Sequence, residues 1–457
     1  MKTPHFYTEN PYTKEKIQDY GYFSDDEIEK LLSQSQSSQE VWQKISLPER
    51  IRFLKLMQDS MRTQRLALAE KITSEMGKIK KEAEAEVDKC IAAFDFAFEN
   101  ASSFLHSEEA VFSKHQYIIE KQALGVLFLI MPWNFPLWQV IRVALPTLLA
   151  GNRILLKHAN ITQGCSQMLS NLFSQHLPPG VFQNLVIDHS QAAKIIADPR
   201  VAAVSLTGST RAGREVAAIA GRHLKKTVME LGGSDPYLVF ADADLNLAVD
   251  ACFRSRHLNA GQSCISAKRF IIEEGAFEEF VEAYLKQMMS LKMGDPRNES
   301  TTLAPLAQTR QVELTRQQIK SLHSFGGQCL GKLKEPHKDS AFIEPQVWKM
   351  PSMNGLEELE LFAPVALFFK ATNEDEMIKI ANQSRYGLGA AVFSKDRERA
   401  MKAARRIESG FCAINDFVKS DPHVPFGGVK ESGYGRELGR EGYLEFVNVR
   451  TLGGIFA

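Results

Sequence analysis

Between residues 124 and 231 short apolar runs alternate with helical patterns, and this alternation constrains the fold more than any other feature of the chain. Strands are predicted at 125–130, 153–157, 181–187, 201–206 and 227–231, with helices at 137–149, 162–176, 191–197 and 211–223. Parallel strands need a crossover of a dozen or more residues, which the helical stretches supply. The pattern therefore predicts a mostly parallel sheet covered on both faces, with a ligand crevice at its strand ends. A second α/β series follows, with strands at 237–240, 270–272, 365–369, 390–393 and 411–414 and helices at 276–289, 308–324, 374–382 and 396–407, and it reads as a second domain.

Residues 24–103 are helical in pattern, opened by Ser24-Asp-Asp-Glu27 and again by Ser46-Leu-Pro-Glu49, two capping boxes. Gly77 fits a C-cap, and Val87, Ile91, Phe94 and Phe98 form a stripe facing a core. The stretch 111–121 reads as a strand of a hairpin standing off the main body, an excursion of the kind that often pairs with another chain. Residues 332–340, rich in charge and proline, read as an exposed loop.

A chain of 457 residues that is 44% hydrophobic can bury a large core and divides into two or three domains. Lys plus Arg and Asp plus Glu number 55 each, so no net field points to nucleic acid or a lipid surface. The longest apolar run, 123–131, stops well short of the roughly 20 residues that span a bilayer. The first residues carry no apolar signal core, and the expectation is a cytoplasmic protein. Six scattered cysteines, with no CxxC pair, argue against a disulfide framework and a zinc ribbon, and no metal site is expected.

The cysteine with chemical promise is Cys264, in Asn259-Ala-Gly-Gln-Ser-Cys264-Ile-Ser-Ala-Lys-Arg269. It lies between a helical pattern at 244–258 and the strand at 270–272, where a tight turn could present a nucleophile. An inert thiol is the alternative. Thr207-Gly208-Ser209 follows a strand and opens a helix, which suits either a phosphate or a plain helix cap. Lys157 ends another strand of the same sheet, where it could reach a ribose hydroxyl or simply be solvated.

Taken in order, Met131-Pro-Trp-Asn134-Phe-Pro, Lys157-His-Ala, Thr207-Gly208-Ser209, Glu230-Leu-Gly-Gly, Gly261-Gln-Ser-Cys264, Glu360-Leu-Phe-Ala-Pro, Asn415 and Pro425-Phe-Gly-Gly-Val-Lys-Glu-Ser-Gly resemble the aldehyde dehydrogenase superfamily over nearly the whole chain. The resemblance implies an α/β fold with a Rossmann-type NAD(P)-binding domain at 1–104 and 124–232 and an α/β catalytic domain at 233–432. It further implies a β oligomerisation element at 105–123 and 433–457, and a homodimer or homotetramer. Hydride leaves an aldehyde carbon readily once a nucleophile has made that carbon tetrahedral. The resemblance gives this role to Cys264, the oxyanion hole to the Asn134 amide and the Cys264 N–H, and the base for thioester hydrolysis to Glu230. On the cofactor side it places Trp133, Lys157, Asn160, Gly208, Ser209, Leu231, Glu360 and Phe362. NAD or NADP is expected: Asn160 stands where NAD-preferring members carry a glutamate that would repel a 2′-phosphate. Phe362-Ala363-Pro364 replaces Phe-Gly-Pro, a change that requires a negative φ at Ala363.

Within the superfamily the resemblance is strongest to succinate-semialdehyde dehydrogenases. Arg142 and Ser420 match positions that grip the substrate's distal carboxylate, a task suited to a guanidinium fork. A second arginine found in some members is Leu258 here, with Arg256 or Lys419 as possible compensation. A second cysteine near the nucleophile is Ser266, so no local redox switch is expected. A lysine beside Arg142 is Val143, which leaves water and Glu437 for any proton relay. Rival readings are a broad aldehyde dehydrogenase, with Arg142 a buried ion-pair partner, a catalytically inactive relative, and a cysteine hydrolase for which no histidine base is evident.

Overall fold

Val126–Met131 is apolar at every position and almost wholly buried, the pattern of a strand covered on both faces. It is flanked by Arg153–His158 and Val201–Thr207, both parallel to it. The sheet runs Gly433–Tyr434, Lys226–Glu230, Val201–Thr207, Val126–Met131, Arg153–His158, Phe182–Asn184, with only the two-residue Gly433–Tyr434 antiparallel. The computed structural model describes residues 5–334 and 341–455; residues 335–340, most of the loop expected at 332–340, lie outside the described residues, as do 1–4 and 456–457.

The second sheet has seven strands, in the order Gln328–Lys332, Gln346–Met350, Val365–Ala371, Ala267–Glu273, Asp235–Val239, Gly389–Phe393, Phe411–Ile414. All pair in parallel except the first. The first two were not read from the sequence, because Gln328–Lys332 has a half-exposed edge-strand composition without clear alternation. A third sheet joins the hairpin Glu108–Phe112 and His115–Ala123 to Val447–Gly454, entirely antiparallel. Val111 and Phe112 at its tip are exposed.

Both N-terminal capping boxes form, at the starts of Asp25–Ser37 and Leu47–Thr63, and Gly77 closes Arg65–Met76 with φ 79°. The helix Lys80–Leu105 buries Val87 and Phe94 against the core, as its stripe predicts. A hairpin, His5–Glu9 with Lys16–Gly21, was not anticipated; its β-bulge and the left-handed Lys14 break the alternation that would have signalled it. The strand predicted at 181–187 is confined to Phe182–Asn184. Among the described residues no helix is long and apolar enough to cross a membrane.

Candidate active site

The helix Leu245–His257 ends just before a backbone segment that ordinary residues avoid. Asn259 and Ala260 both have φ 53°, and Gly261 follows with φ 75°. For alanine this conformation costs about 1–2 kcal/mol, so the surroundings must enforce it. A Cβ at Gly261 would lie 2.5 Å from the Ala363 carbonyl carbon, which makes glycine obligatory. Ala363 itself is not among the residues of positive φ, as its replacement of glycine requires.

Four side chains hold the turn. Asn259 Nδ2 donates to the Asn134 carbonyl at 2.8 Å, and Arg256 Nη2 donates to the Gly261 carbonyl at 2.7 Å. Lys268 Nζ donates to the carbonyls of Cys264 at 2.8 Å and Ser263 at 3.0 Å. Asn134 Nδ2 donates to the Gln262 carbonyl at 3.0 Å, while Gln139 Nε2 donates to Asn134 Oδ1 at 3.0 Å. These bonds fix the Asn134 amide and leave one of its N–H groups for a ligand oxygen. Behind it, a buried Lys78–Glu86 ion pair links the helix Lys80–Leu105 to the Asn134 loop. Lys78 Nζ donates to the Asn134 carbonyl at 3.0 Å, and Glu86 accepts from the N–H groups of Leu137 and Trp138 at 2.9 and 3.1 Å. A carboxylate at the start of the helix Trp138–Leu149 complements its dipole.

Cys264 lies at the meeting of two cavities. One, about 790 Å³ with its open mouth included, is lined by Trp133, Gly208, Ser209, Leu231, Glu360 and Phe362. Trp133 and Phe362 meet edge to face with ring centres 5.9 Å apart. Ser209 Oγ accepts from Ala212 N at 3.3 Å and so caps Thr210–Arg222, whose positive end faces this space. Glu360 accepts from Gly233 N at 3.0 Å, with Lys268 Nζ 3.9 Å away. Six of the eight predicted cofactor residues are thereby gathered. Lys157 and Asn160 end up outside that lining, at the end of and just after the strand Arg153–His158, and Asn160 Nδ2 donates to the Tyr22 hydroxyl at 2.7 Å.

The other cavity, about 850 Å³ with its open mouth included, holds Arg142, Lys89, Ser420 and Leu258 among aromatic walls. Arg142 is ion-paired with Glu437 and donates to Thr207 Oγ1 at 3.3 Å. Of the two compensating cations considered from the sequence, Arg256 is fully buried on the Gly261 carbonyl, whereas Lys419 lines this cavity and donates to both Asp416 oxygens at 2.7 and 3.0 Å. Glu230, ending the strand Lys226–Glu230, lines neither cavity. Its carboxyl is buried without a hydrogen bond, and a Cβ at Gly427 would meet Oε1 at 2.8 Å. Burial holds its pKa well above the usual carboxylate range, and the charge of Glu437 raises it further against the pull of Arg142.

Sequence reasoning missed Gln139, Lys268, Lys89 and the Lys78–Glu86 pair. One signal was present: Gln139 and Arg142 are polar residues three apart in the otherwise apolar helix Trp138–Leu149, and so share a face. Among the described residues no group of three His, Cys, Asp or Glu is placed to hold a metal.

Burial pushes the Cys264 thiol up to about 12, although Arg142 and Lys268 favour the thiolate. Alkylation of the ligand-free protein by iodoacetamide, followed on the Cys264 peptide by mass spectrometry, should therefore accelerate about tenfold per pH unit from 7 to 10 without a plateau. A plateau near pH 8 would show the thiolate already formed in the resting site.

The profile of the aldehyde dehydrogenase family matches residues 2–452. The chain is 39% identical to the succinate semialdehyde dehydrogenase [NAD(P)+] Sad of Escherichia coli, over 97% of this chain and 96% of that one. It is 38% identical to the succinate-semialdehyde dehydrogenase [NADP(+)] of Deinococcus radiodurans, over 98% and 94%. Among solved structures, succinic semialdehyde dehydrogenase from Streptococcus pyogenes in complex with NADP+ superposes with a TM-score of 0.95 at 36% identity, covering 98% of this chain and 99% of that one.

Proposed function

Because the chain belongs to the aldehyde dehydrogenase family, we propose that it oxidises succinate semialdehyde to succinate, with NAD or NADP as hydride acceptor, through a covalent bond to Cys264. The observation that carries the reading is the position of Cys264 between two cavities. One has the capped helix and aromatic pair suited to a dinucleotide, and the other has cations suited to a carboxylate.

The Cys264 sulfur attacks the aldehyde carbon, and the Asn134 amide with the Cys264 N–H stabilises the resulting oxyanion; one such donor contributes about 3 kcal/mol in comparable sites. NAD or NADP, when bound, would supply the acceptor for the hydride that leaves that carbon. Gly208 and Ser209 would hold its pyrophosphate, and Glu360 and Phe362 its nicotinamide end. Lys157 and Asn160, farther along the same sheet edge, would meet the adenosine end, where no carboxylate at position 160 would repel a 2′-phosphate. Cys264 is left as a thioester. The Glu230 side chain turns from its pocket beside Glu437 and takes a proton from the water that hydrolyses it. Arg142 and Ser420 face the distal carboxylate.

The Val447–Gly454 sheet and the exposed apolar tip at Val111 and Phe112 support a homodimer or homotetramer built through that sheet. The requirement for a free Cys264 thiol favours the reducing cytoplasm.

Initial rates of reduced-cofactor formation with succinate semialdehyde and butanal, each with NAD and NADP, test the substrate. The semialdehyde should win by more than about tenfold in kcat/KM, equivalent to about 1.4 kcal/mol of transition-state discrimination. Equal rates would favour a broad aldehyde dehydrogenase. One observation speaks for that second reading: Arg142 is already neutralised by Glu437.

A further inference from the structure

With Leu258 where some semialdehyde dehydrogenases place a second arginine, and Arg142 paired to Glu437, the substrate cavity needs another source of positive charge. We propose that Lys89, on the helix Lys80–Leu105, is the second cation that binds the distal carboxylate of the substrate, acting with the Ser420 hydroxyl and Arg142. The inference rests on the semialdehyde reading.

The hydrogen bonding argues for it. Lys89 Nζ donates to Ser420 Oγ at 2.7 Å, and Trp138 Nε1 donates to the same oxygen at 2.8 Å. A hydroxyl has two lone pairs and one proton. Both lone pairs are occupied, so the Ser420 proton is left for an acceptor. The ammonium has further N–H groups, lies 4.1 Å from the Trp138 ring centre, and has no carboxylate within ion-pair distance among the described residues. Donors without an acceptor, partly buried in the cavity that holds Cys264, form an anion receptor.

The charge balance agrees. Arg142 and Glu437 cancel, Glu86 is paired with Lys78 and Lys419 with Asp416; the remaining lining carboxylate, Glu82, accepts from Asn259 N and is raised by burial to about 7, so Lys89 is the lining cation with no carboxylate at ion-pair distance among the described residues. Burial, with the charge of Arg142, pushes Lys89 down to about 8, against the opposing influence of Cys90, Glu86 and Asp421; Glu82 and Lys419 line the same cavity. A lysine so placed is a cation at neutral pH and loses its proton as the pH rises through about 8.

The experiment compares kcat/KM for succinate semialdehyde and butanal in wild type, Lys89→Met and Lys89→Arg. Lys89→Met should lower the semialdehyde-to-butanal ratio about 30-fold, chiefly through KM, as expected for a lost charged hydrogen bond. Lys89→Arg should recover most of it. In wild type, the KM for the semialdehyde should rise above pH 8, where Lys89 becomes neutral, and Lys89→Arg should flatten that rise. A wild-type preference that survives Lys89→Met, or a pH-dependent KM unchanged in Lys89→Arg, overturns the inference and leaves the functional reading intact. A wild type with no preference for the semialdehyde overturns that reading as well.

Discussion

Replacing Cys264 by alanine is expected to abolish reduced-cofactor formation with every aldehyde, lowering kcat/KM by at least about 10⁴-fold, because no other group is placed to make the carbonyl carbon tetrahedral. The variant should fold. The bonds that hold the loop run to backbone carbonyls, from Lys268 to Cys264 and Ser263 and from Arg256 to Gly261, and none involves the sulfur. Losing one half-buried sulfur costs little beside the apolar core around it. The rate is to be read alongside cofactor binding, followed by quenching of tryptophan fluorescence, which Trp133 in the cofactor cavity should report. Binding without turnover is the expected pair of results. Residual turnover above about 1% of wild type would mean that hydride leaves without covalent help, and the mechanism would have to be abandoned.

Glu230→Gln should separate the two halves of the reaction. The first half does not need a base at position 230, so one equivalent of reduced cofactor per site should appear in a burst. Hydrolysis of the thioester should then stall, with steady-state kcat down by about 10²–10⁴-fold. Hydroxylamine, which attacks a thioester without a base, should restore turnover. The pH dependence follows from the sign of the shift. Burial and Glu437 raise the Glu230 pKa, and the base acts only when deprotonated, so wild-type deacylation should increase as the pH climbs through that raised value. The ascending limb should vanish in Glu230→Gln. A variant that loses the burst as well would place Glu230 in the hydride-transfer half, or in thiol activation, instead.

Much of the fold was legible because strand and helix are written as local periodicity. Val126–Met131 is a continuous apolar run, Arg153–His158 has an apolar Ile-Leu-Leu centre, and the capping boxes at Ser24 and Ser46 are complete within four residues. Where the signal was not local, the reading stopped. The hairpin His5–Glu9 with Lys16–Gly21 depends on a bulge, and the edge pair Gln328–Lys332 with Gln346–Met350 depends on register between segments that carry no clear alternation. The helix Lys80–Leu105 shows the same limit from another side. Its apolar stripe was read as core, but its other face carries Glu86 and Lys89 into the site.

The order of chemistry along the chain is written in the residues alone: an amide after one strand, a capped helix after another, a carboxylate ending a third and a cysteine on a later turn. That information survives in one dimension because each motif is a local solution to a local problem, such as the left-handed φ of 75° that favours glycine at Gly261. Folding alone opens Cys264 to two cavities, pairs Arg142 with Glu437, and brings Lys89 to Ser420 across 331 positions of chain. Protonation belongs to the same class. The shifts of Cys264, Glu230 and Lys89 all have burial as their largest cause, and burial is a property of the neighbours that folding brings together, not of the residue or its place in the chain.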